Sequence, residues 1–142
     1  MYAGSVYAPN VGKIFSCPAK ALGVLIIDPA TLAFDANAIR PAGGTRSGAG
    51  SSWASFAYAN STGLIYGAPD NHNYILVVNP ITNTSDCSSS SFGPYPGMGQ
   101  YRQAIYVHVG EALGTVVFIP AHAANGVLTL TVATNTTALA GL

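Results

Sequence analysis

Residues Tyr58–Asp86 read YANSTGLIYGAPDNHNYILVVNPITNTSD. Just upstream, Trp53–Tyr58 places large side chains near alternate positions, and Asn60-Ser61-Thr62-Gly63 then supplies turn chemistry, which predicts a strand entering a hairpin. Leu64–Ala68 continues as a second strand. Pro69 and the Asp70-Asn71-His72-Asn73 cluster break it, because proline removes a ladder donor and Asp and Asn favour turns. Tyr74–Val78 is β-branched and apolar on both faces, as a strand sandwiched between two sheets should be. In Asn79-Pro80-Ile81-Thr82-Asn83 the Asn79 side chain can accept a backbone hydrogen bond two residues on, while proline presets φ for a turn. A short, Ser-rich fourth strand is expected after Asp86, at a solvent-facing edge.

The same unit stands 51 residues earlier. Tyr7, Ala8, Gly12, Ile14, Pro18, Leu25, Pro29, Thr31 and Asp35 coincide without a gap with Tyr58, Ala59, Gly63, Ile65, Pro69, Leu76, Pro80, Thr82 and Asp86. A second shift carries Gly63 to Gly114 and Pro69 to Pro120, and one further residue brings Thr82-Asn83-Thr84 onto Thr134-Asn135-Thr136. Repeats of this length belong to architectures whose units bury their apolar faces by stacking on one another. The fold expected is all-β: a partial β-propeller of three four-stranded antiparallel blades in one repeat domain, residues 1–142. Blade 1 covers about 1–40, blade 2 about 53–92 and blade 3 about 101–142, with fourth strands at Ala36–Ile39 and Thr137–Leu139 in the outer copies. Sixteen glycines and nine prolines, spread throughout, count against helices.

Charged residues make up 7% of the chain, against roughly 25% in ordinary domains, and the net charge is zero. No field exists to attract a polyanion, so nucleic acid is disfavoured as a partner. No apolar run reaches the length of a membrane span. Met1–Ser5 lacks the basic start and apolar stretch of a signal peptide, whereas sequons at Asn60, Asn83 and Asn135 lean toward an extracellular or cell-surface setting. Cys17 and Cys87 occupy unrelated repeat positions and are expected to be unpaired.

Gly12-Lys13-Ile14-Phe15 followed by Val24–Asp28-Pro29-Ala30-Thr31, echoed by Gly63–Tyr66 and Val77–Asn83, resembles the YVTN-type β-propeller repeat. The third copy departs, with Val132 at the turn-proline position and Glu111-Ala112-Leu113 lengthening its first hairpin. The resemblance implies a seven-bladed scaffold family of diverse roles, often at cell surfaces, and leaves function open. Three blades would leave two flanks uncovered, so the expected partners are further blades in cis or a second copy of the chain.

In propellers the inter-blade connectors and the loops between second and third strands open on one end. That end would hold Lys20, Arg46, Asp70, Asn71, His72, Tyr95, Tyr101, Arg102 and His122. His72 and His122 lie in equivalent loops and could aim at a central channel as metal ligands or acid–base groups, although exposed loop histidines are the simpler reading. Asp28 and Asp35 form a tempting carboxylate pair, but their positions recur at turns, which favours structural capping. Tyr7, Trp53, Tyr58 and Tyr66 could stack on a sugar and are expected first to pack between blades. No nucleophile elbow, zinc-protease helix, P-loop or dinucleotide fingerprint occurs. The sequence thus favours a non-enzymatic scaffold, with no catalytic residue, metal or cofactor assigned, whose loop face takes a protein or glycan. The alternative is part of a lactonase- or quinoprotein-like propeller enzyme using Asp70, His72 and His122 at the channel mouth.

Overall fold

The chain is described here by a computed structural model that covers residues 1–41, 52–87, 101–108, 113–120 and 126–141. Strands β1 (Ala3–Ala8), β2 (Lys13–Cys17), β3 (Val24–Ile27) and β4 (Phe34–Ile39) form one sheet. A second sheet holds β5 (Trp53–Ala59), β6 (Leu64–Pro69), β7 (Leu76–Asn79) and β8 (Thr84–Asp86). The third contains β9 (Tyr101–Val107), β10 (Thr115–Pro120), β11 (Gly126–Thr131) and β12 (Thr136–Gly141). Each is an antiparallel meander in chain order, and no helix occurs among the described residues. The all-β, three-sheet, propeller-like architecture read from the sequence is the one observed.

The turns recur with the strands. Gly12, Gly63 and Gly114 all have positive φ, at 67°, 72° and 77°, because the hairpin between the first two strands of each sheet needs a left-handed residue there. The turns between third and fourth strands place Leu32, Asn83 and Asn135 at φ of 59°, 54° and 53°. Ahead of two of these residues the side-chain cap is also shared. Asp28 Oδ1 accepts from the Ala30 and Thr31 amides, and Asn79 Oδ1 from those of Ile81 and Thr82. Asp35 Oδ1 likewise accepts from the Asn37 and Ala38 amides, at the irregularity within β4, so both carboxylates of the tempting pair cap backbone amides.

Face alternation organises the core. In the middle sheet Phe56, Ile65, Leu76 and Val78 pack with Phe15, Cys17, Val24, Ile26 and Ile39 of the first sheet. The intervening residues Ala57, Ala59, Tyr66, Ala68 and Ile75 pack with Val116, Phe118, Leu128 and Leu130 of the third. The period-two alternation of a strand thus sends one residue set to each neighbour. The innermost strands come closest: Ser55 on β5 approaches Gly4 on β1, and its hydroxyl accepts from the Ala104 amide on β9 at 2.8 Å. At the hairpin end, Asn10 Nδ2 donates to the Gly63 carbonyl, and one repeat later Ser61 Oγ donates to that of Leu113. These bonds latch successive hairpins together.

Three details differ from the sequence reading. The fourth strand of the middle sheet lies before Cys87 and ends at Asp86, because the tight turn at Pro80–Asn83 returns the chain to the ladder at once; residues 88–92 lie outside the described residues. Its third strand is shorter, with Tyr74 contributing an isolated bridge ahead of Leu76. Tyr7, expected to pack between blades, is 54% exposed, whereas its counterpart Tyr58 packs on the first sheet.

Leu32 is a non-glycine, non-Asx residue in the left-handed region and is exposed, while both of its equivalents are asparagine. Leu32→Asn should therefore stabilise the protein by about 0.5–1 kcal/mol in urea denaturation, through relief of backbone strain. In contrast, Trp53→Ala should cost about 3–5 kcal/mol, since Trp53 is fully buried and its indole N–H donates to the Tyr74 carbonyl at 2.9 Å.

Candidate functional site

The loop-face end is tied together by backbone bonds between segments far apart in sequence. The Lys20 amide donates to the Met1 carbonyl and the Ser52 amide to that of Ala19, while the Asp70 and Asn71 amides both donate to Ser52. The loop leaving β2, the entry to β5 and the loop leaving β6 therefore meet at one end of the first two sheets. That convergence follows from Pro18 and Pro69, which stand at equivalent strand ends and stop the ladder there.

The third sheet joins through charge. Asp70 is buried and Arg102, on β9, lies 3.9 Å away (Nη1 to Oδ2), an ion-pair distance beyond direct hydrogen bonding. Beside them His72 is buried against the Trp53 ring, with centroids 4.4 Å apart, and faces Tyr74 at 5.8 Å. Cys17 completes the surroundings from the first sheet. Burial pushes its thiol well above the ordinary range, and the Asp70 charge adds to that shift.

The structure thus brings Asp70, Asn71, His72 and Arg102 together, with Lys20 exposed at the same end. His72 is not the exposed loop histidine expected from the sequence, because the aromatic side chains of Trp53 and Tyr74 cover it. Tyr101 is 2% exposed and packs edge-on to Phe118, so it is a core residue of the second sheet interface and presents no loop surface. Arg46, Tyr95 and His122 lie outside the described residues. The contribution of Trp53 was missed by the loop-based reading; its signal was that the chain's single tryptophan follows the connector directly.

Among the described residues no group of three or more His, Cys, Asp or Glu side chains could hold a metal ion. Neither Cys17 nor Cys87 forms a disulfide, and both are buried in the cluster between the first two sheets. At the opposite end an open depression of about 210 Å³ is lined by Lys13, Ile26, Asp28, Ala33, Phe34 and Asp35. Its carboxylates, Asp28 and Asp35, already cap backbone amides. No family model matches this chain, and no curated protein matches it.

What the arrangement can do chemically is attract a cation. A carboxylate held out of water is costly unless a positive group compensates it. Arg102 does so from one side while remaining 59% exposed, leaving its other donors open to solvent.

Burial also raises the thiol of Cys87, with the Asp86 charge adding, and burial likewise raises the phenol of Tyr66. All three groups ionise more readily in the unfolded chain than in the folded one. Their contribution to stability is complete below the unfolded values and is lost as pH rises toward the folded ones. Urea denaturation between neutral pH and pH 10 should show falling stability above the ordinary thiol range, and Cys17→Ala should flatten that decline.

Proposed function

We propose that the protein is a non-enzymatic binding scaffold of YVTN-like propeller blades, taking a protein or glycan ligand at the loop-face end through Arg102 and Lys20. The observation that carries this reading is the exposed Arg102 guanidinium held beside buried Asp70. A planar fork of donors suits a carboxylate or a pair of hydroxyls, and the Asp70 charge draws it to this end of the sheets. The burial of His72 among aromatic rings also weighs against its use as an open metal ligand or acid–base group, which the propeller-enzyme alternative requires.

The test is an array of uronate-bearing and neutral glycans together with acidic peptides. Retention of a carboxylate-bearing ligand should fall at least tenfold, about 1.4 kcal/mol, in Arg102→Ala. The variant should still fold, judged by Trp53 fluorescence, with a modest loss of stability because Asp70 loses its compensating charge. Stoichiometric retention of a divalent ion that is lost in His72→Ala, or ligand binding indifferent to Arg102→Ala, would favour the enzymatic reading or another surface.

A further inference from the structure

We propose that a second copy of this chain docks head to tail, the outer face of its third sheet lying on the outer face of the first sheet, and that two copies close into a ring of six sheets. This goes beyond ligand binding at the loop-face end and does not depend on it.

The argument starts from cross-strand rows, since residues directly opposite one another share a face. In the middle sheet the row Tyr58–Ile65–Val78–Ser85 faces the first sheet, with Ile65 and Val78 fully buried there. In the third sheet the equivalent row Tyr106–Val116–Leu130–Thr137 faces the middle sheet, with Val116 and Leu130 fully buried. The first sheet carries the same row, Tyr7–Ile14–Ile27–Phe34, and there Tyr7 is 54% and Phe34 76% exposed. A row covered by a sheet in both other positions is open in this one.

The reciprocal face is open at the far end. The rows that do the covering are Val6–Phe15–Ile26–Asp35 and Ala57–Tyr66–Val77–Asp86. Their equivalent in the third sheet is Ile105–Val117–Thr129–Ala138, with Ile105 41% exposed and Val107 and Ile119, on the same face, each 37% exposed.

The fourth-strand positions select the partner. Within the chain, the covering row ends in Asp35 where the covered row ends in Ser85, and in Asp86 where it ends in Thr137: polar against polar. At the two free faces the corresponding residues are Ala138 and Phe34, both apolar. The free faces therefore differ from the internal ones in the same direction. This complementarity points to another copy of these same three sheets.

Size favours closure. Strand spacing and rise give a four-stranded face roughly 20 Å on each side, so the four faces of a closed dimer bury on the order of 1,600 Å², a standard stable interface. A single contact in an open chain would bury about half of that, below what specific association needs. Once one contact forms, the second is intramolecular, and closure removes the exposed ends.

Sedimentation equilibrium and native mass spectrometry at micromolar concentration should give twice the 14.5 kDa of one chain. Phe34→Ser restores the residue type of the middle sheet at an exposed site and should fold, judged by strand circular dichroism and Trp53 fluorescence, while raising the dissociation constant at least about tenfold. Ile105→Asp should do the same from the other face, and the charge pair Phe34→Asp with Ala138→Lys should recover the dimer that Phe34→Asp loses. A monomer at these concentrations, an open series of masses growing with concentration, or a dimer indifferent to all three changes would overturn the proposal. Ligand binding by a monomer would leave the loop-face reading intact, and a dimer that binds nothing would remove that reading alone.

Discussion

The structure depends on a middle sheet that is covered on both faces. Its strands alternate with period two, so β6 and β7 must be apolar at every position that reaches a neighbour: Ile65, Leu76 and Val78 on one side, Tyr66, Ala68 and Val77 on the other. Small and large residues divide between the two faces. Ala57, Ala59 and Ala68 make room for Phe118, Leu128 and Leu130 of the third sheet, and Gly67 makes room for Phe56, whose ring atoms stand 3.0 Å from where a β-carbon would sit. The close approach of β1, β5 and β9 is a consequence of this stacking, as are the latches between successive hairpins.

With charge so scarce, polar side chains hold the ends of the sheets instead of ion pairs. Asp28 and Asn79 spend a side-chain oxygen on backbone amides in turns, and Asp35 does so at the irregularity within β4. Ser61 and Tyr106 share the Leu113 carbonyl between two sheets. Asp70 is the exception, a buried carboxylate near a thiol, an imidazole and an exposed guanidinium, at the point where all three sheets meet. A burial of that kind contributes little net stability.

Much of this was legible in the residues themselves. Gly12, Gly63 and Gly114 marked the hairpins because only a residue free of β-carbon crowding suits those turns, and the prolines at 18, 69 and 120 marked strand ends because they lack a donor. Asn79 and Asp28 announced their caps through spacing alone. What spacing could not reveal was which neighbour each face meets, since a two-residue period is symmetric about the strand. Nor could it reveal that the Asp70–His72 loop folds inward, because the ring that covers His72 belongs to Trp53 at the start of another strand, β5. Tyr101 was misread for a related reason: adjacency to a connector suggested a loop side chain, whereas strand β9 already begins there and turns its ring into the core.

The most direct test of the stacking is native-state hydrogen exchange resolved by residue. If the middle sheet is covered on both faces, amides of β6 and β7 should exchange slowest in the molecule, near the global unfolding limit, while those of β4 and β12 exchange orders of magnitude faster through local opening. Equal protection across all three sheets, or β6 and β7 exchanging as fast as β4, would contradict a structure built around a doubly buried centre.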